Sequence, residues 1–209
     1  MKFYDCTTAP SPRRVRIFAA EKGITLPTVQ VDLRNGEQFS DAFRAINPEC
    51  TVPALQLDDG TVIGDAVAIC QYLEELHPDP PLIGSTPQER AVVTALNRAI
   101  ERDGFFAAMD ALRNTAAGLK GRALPGPHDY EQIPELAERG RKRLAHFFRD
   151  MDGRLASRAF VAGERYTLAD ISAMIVTDFA GRLKLAVSDE CANLKRWYAV
   201  VSARSSAKA

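Results

Sequence analysis

The chain has 209 residues, 46% of them hydrophobic, and its 27 basic and 27 acidic residues give no formal net charge. This length suits one large or two small domains with an ordinary core, and the balanced charge gives no reason to expect a nucleic-acid partner or an anionic membrane. Because no stretch is apolar for the roughly 18 residues of a membrane span, and residues 1–14 lack a secretory signal, we expect a cytoplasmic protein.

The first 46 residues alternate between strand and helix patterns. Residues 2–6 and 29–33 predict two short strands. Between them a helix is predicted over residues 12–23, with Ser11 as its N-cap, a proline at its first position and a glycine at its end. This order predicts parallel strands joined by a right-handed crossover. A short helix over residues 38–46 follows.

The next stretch predicts a β-hairpin that begins at a proline. Residues 53–57 and 61–63 are apolar runs joined by Asp-Asp-Gly, a sequence typical of tight antiparallel turns. Pro53 cannot donate to a β-ladder, so it marks an edge or the first residue of a strand. A cis Val52–Pro53 bond is one way to turn the backbone of Val52 outward, where an extended peptide could pair with it.

A helix follows the hairpin over residues 66–76, with apolar side chains at helical spacing. Asp65 occupies its N-cap position, where a carboxylate accepts backbone N–H bonds and meets the positive end of the helix dipole. On this fragment alone, a helix cap is the simpler interpretation of Asp65, and a role in binding stays open.

The composition changes to helix after residue 77. Residues 78–86 form a proline-rich linker, and Thr86 and Glu89 predict a capping box at the start of a long helix that reaches about residue 117. A loop and a second helix are predicted over residues 118–133 and 134–157. We therefore predict an N-terminal domain over residues 1–77 and an all-helical domain over residues 87–209.

Two further features complete the pattern. Thr167 and Asp170 form a cap-and-return pair ahead of an apolar helix, and a last helix contains Trp197. The chain has four cysteines without a CxxC pair, so neither a metal site nor a dithiol redox centre is indicated. These cysteines are Cys6, Cys50, Cys70 and Cys191.

Two of these motifs resemble the glutathione S-transferase family. The first is Val52–Pro53 entering a hairpin that leads to a helix opened by Asp65, and the second is Gly163-Glu-Arg-Tyr-Thr-Leu-Ala-Asp170. The resemblance implies a thioredoxin-like βαβαββα domain of the α/β class, followed by an all-α helical bundle. It also implies a homodimer that uses glutathione as co-substrate, without a metal, in detoxification. In this family the second motif has a structural role.

The resemblance also implies which residues hold glutathione. The backbone of Val52, presented by Pro53, would pair with the cysteinyl part, and Asp65 would face the amino group. The backbone N–H of Ala66 would bind the γ-glutamyl carboxylate, although the family usually has serine at this position. Gln38 is a candidate for the glycyl end, with a solvated helix-start residue as the simpler interpretation.

Activation of the thiol is where the sequence departs from the family. Relatives with a catalytic serine or threonine place it at the position of Ala9, so Thr8 and Ser11 are the remaining candidates for the hydroxyl that stabilises the thiolate. A turn-forming role for Thr8 and a pure N-cap role for Ser11 stay open. Glycine is usual where Cys50 stands, and Cys6 could form a mixed disulfide with glutathione.

Three functions are compatible with this pattern. The first is a glutathione S-transferase whose thiolate attacks a small hydrophobic electrophile, in a pocket that Phe105 and Met109 would line unless they only pack in the core. The second is a transferase-like protein that binds glutathione or a partner with weak or no conjugation, as the substitutions at Ala9, Ala66 and Cys50 suggest. The third is a glutathione-dependent reductase or isomerase.

Overall fold

The computed structural model describes residues 1–185 and 187–209. These residues form two compact units. The first contains Met1–Pro80, Pro125–His128 and Lys208–Ala209, and the second contains Pro81–Leu124 and Asp129–Ala207. None of the described helices is both long enough and apolar enough to cross a membrane.

The first unit is built on a four-stranded mixed sheet in the order β2-β1-β3-β4. Its strands are β1 Lys2–Asp5, β2 Thr28–Gln30, β3 Ala54–Gln56 and β4 Val62–Ile63. β1 pairs with β2 in parallel and with β3 antiparallel, and β3 pairs antiparallel with β4, as the strand–helix–strand order and the hairpin turn predict. The helices are α1 Pro10–Glu21, α2 Asp41–Arg44 and α3 Ala66–Leu76. This order confirms the predicted thioredoxin-like fold.

The predicted helix over residues 38–46 is wrong in its extent. The structure has a 3₁₀ turn, Glu37–Phe39, followed by the single turn of α2. Ser40 has an extended backbone between them, and its hydroxyl accepts a hydrogen bond from the N–H of Phe43 as the N-cap of α2. An N-cap residue starts a new helix rather than continuing the preceding turn, so the segment is divided.

The start of α1 also differs from the prediction. The helix begins at Pro10 with Ala9 as its N-cap residue, and no side chain caps it. Ser11 therefore lies inside the first turn and is not the N-cap. Proline fits this start because its fixed φ suits the first helical turn and its missing N–H would have had no partner there.

A buried ion pair that the sequence did not reveal joins α1 to the end of α3. The ammonium of Lys22, whose side chain is 0% exposed, lies 2.7 Å from a carboxylate oxygen of Glu74, whose side chain is 5% exposed. The same ammonium donates to the carbonyls of His77 at 2.6 Å and Pro80 at 2.7 Å. Lys22 therefore fixes the point where the first unit ends.

The second unit is helical, as predicted. Its helices are α4 Pro87–Ile100, α5 Phe106–Arg113, α6 Pro134–Leu155, α7 Leu168–Arg182 and α8 Ala192–Ser202. The capping box predicted at Thr86 and Glu89 is confirmed, because Thr86 Oγ1 accepts from the N–H of Glu89 and the Glu89 carboxylate accepts from that of Thr86.

The long helix predicted to reach residue 117 is interrupted and ends earlier. A π-helical turn, Glu101–Phe105, separates α4 from α5, and α5 stops at Arg113. Within this turn a Cβ on Gly104 would lie 2.9 Å from the Phe147 ring and 3.0 Å from Val176. Because glycine has no Cβ, α6 and α7 can pack closely against this turn at Gly104.

Asp170 is the polar centre of the second unit. Its carboxylate is 0% exposed and accepts hydrogen bonds from Val161 N–H at 2.8 Å, Thr167 N–H and Oγ1–H at 2.9 and 3.0 Å, and Trp197 Nε1–H at 2.9 Å. Burial raises the pKa of the Asp170 carboxyl, and these four donors oppose that shift. The predicted pairing of Thr167 with Asp170 is confirmed, and the contacts with Val161 and Trp197 extend it to two other segments.

Candidate functional site

The loop before β3 carries the cis Val52–Pro53 bond that the sequence suggested. Pro53 is buried, while Val52 is half-buried against the apolar cluster that contains Tyr4 and Ala54. In the described part of the chain, neither the N–H nor the C=O of Val52 has a hydrogen-bond partner. An extended ligand could therefore pair with this backbone as a β-strand would.

Asp65 is confirmed as the N-cap of α3. Its Oδ1 accepts hydrogen bonds from the N–H groups of Val67 and Ala68, both at 2.9 Å, while its side chain stays exposed to solvent. Ala66 is the first residue of the helix, and the first N–H groups of a helix lack partners within it. This helix start therefore leaves the N–H of Ala66 beside one carboxylate, a combination suited to a zwitterionic ligand end.

Gln38 lies in the 3₁₀ turn of the first unit and is only 7% exposed. The interpretation of Gln38 as a solvated helix-start residue is therefore wrong. Its Oε1 is buried and finds no donor among the described residues. A buried acceptor of this kind is costly unless a ligand or water donates to it.

The turn between β1 and α1 is held from two sides. The N–H of Thr7 donates to Gln30 Oε1 at 3.0 Å, and Arg16 donates to the Thr7 carbonyl at 3.2 Å. The exposed Thr8 follows directly, with its hydroxyl 3.4 Å from the thiol of Cys6. This anchoring gives Thr8 a fixed position beside the start of α1.

Ser11 is paired with a buried arginine. Nη2 of Arg14, a residue only 4% exposed, donates to the Ser11 Oγ at 2.9 Å. Because the guanidinium is a pure donor, this bond occupies a lone pair of the oxygen and leaves the hydroxyl hydrogen able to donate elsewhere. A hydroxyl that accepts from a cation is also a better donor itself.

The remaining two predicted site residues lie in the second unit. The Phe105 side chain is buried, with ring centroids 6.4 Å from Phe106 and 6.1 Å from Phe179. Met109 is half-buried on α5. Phe105 is therefore a core residue, and its contribution to an electrophile pocket stays a prediction.

The structure thus places seven of the nine predicted site residues in the first unit: Thr8, Ser11, Gln38, Val52, Pro53, Asp65 and Ala66. Sequence reasoning missed two other side chains of the first unit. Arg14 donates to the Ser11 hydroxyl, and Asn47 donates to the carbonyl of Thr51, the residue before Val52. The Asn47–Pro48 pair is a turn signal that could have drawn attention to this side chain.

Comparisons with known proteins agree with this architecture. Residues 8–76 match the family "Glutathione S-transferase, N-terminal domain", and residues 111–205 match "Glutathione S-transferase, C-terminal domain". The chain is 35% identical to "Glutathione S-transferase 2" of Saccharomyces cerevisiae, over 100% of this chain and 88% of that protein.

Two more proteins are similar to this chain, one over nearly its whole length and one over part of it. The crystal structure of a glutathione S-transferase domain-containing protein from Marinobacter aquaeolei VT8 superposes with a TM-score of 0.92 and 36% identity, covering 99% of each chain. A protein of Rattus norvegicus named "Maleylacetoacetate isomerase" is 45% identical over 89 residues, which are 42% of this chain and 41% of that protein.

Proposed function

The chain belongs to the glutathione S-transferase family and is a glutathione transferase, and from this premise we propose that it activates the glutathione thiol for attack on a small hydrophobic electrophile. The observation that carries this proposal is the unpartnered backbone of Val52 in the first unit, beside the cis proline. Detoxification is the role that such a reaction would serve.

The ligand contacts follow from the chemistry of each group. The N–H and C=O of Val52 pair with the cysteinyl residue of glutathione, while Pro53 holds the loop in shape. The Asp65 carboxylate meets the ammonium of the γ-glutamyl end, and the Ala66 N–H meets its carboxylate. Gln38, whose Oε1 has no donor among the described residues, is the candidate for the glycyl end. Ala66 supplies no hydroxyl here, which weakens binding relative to a serine.

Thiol activation falls to Ser11, with Thr8 as the alternative. A hydroxyl donor stabilises a thiolate more than a thiol, and so does the positive end of a helix dipole such as that of α1. The hydrogen bond from Arg14 favours Ser11 over Thr8 as the residue that contacts the thiolate. The guanidinium cannot accept the hydrogen of the Ser11 hydroxyl, and its charge makes that hydroxyl a stronger donor. Both effects lower the pKa of the bound thiol from about 8.5–9 toward neutrality.

The experiment that tests the function is a calorimetric titration with glutathione, with thiolate absorbance followed in the same samples as the pH is raised. We expect binding with a thiol pKa lowered by about one unit or more, which corresponds to about 1.4 kcal/mol per unit. Thiolate would then be present at a pH where free glutathione is still protonated. Absence of glutathione binding would contradict the proposal.

Replacing Ser11 with alanine is expected to raise the pKa of the bound thiol by about one to two units, because a hydrogen bond to an anion contributes roughly 1.5–3 kcal/mol. The pH profile of conjugation should shift upward by the same amount. Ser157→Ala, at an exposed position of the second unit, is the matched control and should leave the profile unchanged. If Thr8→Ala shifts the profile and Ser11→Ala does not, the assignment of the two hydroxyls is reversed.

Replacing Asp65 with asparagine separates capping from ligand binding. Asparagine caps helices about as well as aspartate, so the stability of the first unit should hold. The charge that faces the ammonium is lost, and we expect the calorimetric Kd for glutathione to rise about tenfold. A glutathione analogue without the γ-glutamyl amino group should bind both proteins equally. Equal affinity of both proteins for glutathione itself would leave Asp65 as a cap only.

The likeness to an isomerase supports a second candidate function. Glutathione-dependent isomerisation uses the same bound thiolate, which would add to a cis double bond and leave again. Turnover of a cis-unsaturated diacid without net consumption of glutathione would favour it.

A reductase would instead need Cys6, the half-exposed thiol beside Thr8, because Cys50 is buried. Glutathione binding with an unshifted thiol pKa would indicate a binding or interaction protein.

The proposal has three further parts. These are assembly as a homodimer, which rests on the family alone, an electrophile pocket to which Phe105 and Met109 contribute, and a cytoplasmic location.

A further inference from the structure

Asn47 is a buried side chain in the loop that precedes the cis proline. It is 3% exposed, and its backbone N–H donates to the Phe43 carbonyl of α2 at 2.8 Å. Its side-chain oxygen accepts from the N–H of Glu49 at 3.2 Å, and its Nδ2 donates to the carbonyl of Thr51 at 2.8 Å. The side-chain amide of Asn47 therefore links the first residue of this loop to Thr51, the residue just before Val52.

The bond to Thr51 fixes the orientation of the next N–H. The carbonyl of Thr51 and the N–H of Val52 belong to the same peptide unit, which is trans because the cis bonds in the described residues are Val52–Pro53 and Asp79–Pro80. In a planar trans peptide the C=O and N–H point in opposite directions. Because Asn47 holds the carbonyl on the buried side, the N–H of Val52 is directed away from the interior.

The same amide lies near the segment that carries Asp65. A Cβ built on Gly64 would lie 3.5 Å from Asn47 Oδ1 and 3.6 Å from Nδ2, which is van der Waals contact. The Asn47 amide therefore faces Gly64, the residue just before the N-cap of α3, across a space that a methyl group would fill.

We propose that Asn47 is a positioning residue for glutathione: its amide sets the direction of the Val52 N–H. This inference rests on the proposed function, since it assigns Asn47 to the same ligand. Asn47 does not touch the ligand itself. Its effect is on affinity, through the direction in which a backbone donor points.

The test compares Asn47→Ala with the wild-type protein by calorimetry with glutathione and by the ¹⁵N NMR spectrum of the ligand-free protein. We expect the Kd for glutathione to rise at least tenfold, because a misdirected Val52 loses its pairing with the ligand. We also expect the Val52 amide signal to move or broaden while the amides of β3 keep their positions. A general loss of structure would move all of them.

Asn35→Ala is the matched control, because Asn35 also donates through its Nδ2, to Asp32, but in an exposed turn. The Kd of Asn35→Ala for glutathione should stay within twofold of the wild-type value.

If Asn47→Ala does not fold, Asn47→Asp replaces it, since the carboxylate keeps the shape and cannot donate to Thr51. A folded variant with unchanged Kd and an unchanged Val52 signal would overturn the inference. A wild-type protein that does not bind glutathione would instead overturn the proposed function, and the positioning role with it.

Discussion

Replacing Asp170 with alanine is expected to lower the free energy of unfolding by about 3–5 kcal/mol, because each buried donor left without a partner costs roughly 1–3 kcal/mol. The substitution strands buried donors in three segments: the N–H groups of Val161 and Thr167, and Nε1–H of Trp197. None of them can reach water without opening the second unit. Urea denaturation followed by circular dichroism measures the change, and Trp197 fluorescence reports on the same site.

Two further variants show whether this loss belongs to the hydrogen-bond network. Asp170→Asn keeps the shape but turns an NH₂ group toward donors, so it should lose most of the same stability. Asp150→Ala, at an exposed position of α6, should change the free energy by no more than about 0.5 kcal/mol. A loss below about 1 kcal/mol for Asp170→Ala would show that the donors find other partners.

Replacing Lys22 with methionine is expected to cost about 3–5 kcal/mol in the first unit, because it removes the ammonium from beside a buried carboxylate. It also withdraws the donor from the carbonyls of His77 and Pro80. Methionine has nearly the same length, so little packing is lost. The midpoint of urea denaturation gives the effect, provided that the slope of the transition is unchanged.

The double variant Lys22→Met/Glu74→Gln tests the electrostatic explanation. Neutralising the carboxylate removes the uncompensated charge, so the double variant should be more stable than Lys22→Met alone. Lys120→Met, at an exposed position, is the matched control and should be nearly neutral. If the second substitution makes the protein still less stable, the ion pair is not the source of the loss.

Those parts of the fold that depend on a few neighbouring residues were predictable from the sequence. The hairpin followed from its Asp-Asp-Gly turn, and the start of α3 from a carboxylate at Asp65. Thr167 with Asp170 marked the start of α7 in the same way. In each case the hydrogen-bond partner lies within three or four residues, so spacing alone identifies it. The candidate site was predictable to the same extent, as a set of positions on these local elements.

What tertiary structure decided is which of these residues are buried and what they touch. Gln38 is polar and follows a turn, yet packing leaves it with an unsatisfied acceptor inside the first unit. The sequence indicates only that Lys22 is a charged residue at the end of a helix. In the folded chain, α3 places Glu74 beside it, and the two side chains form a buried ion pair.

The same holds for Asn47, Ser11 and Gly104. Asn47 orients the Val52 N–H through the trans peptide that follows Thr51, and its amide faces Gly64 on another loop. Ser11 accepts a hydrogen bond from Arg14, which packing buries. Gly104 lies in the π-helical turn that separates α4 from α5, where Phe147 and Val176 leave no room for a Cβ. Sequence determines local conformation because backbone hydrogen bonds there are short-range. Burial and charge pairing depend on which elements pack together, so only the folded chain determines them.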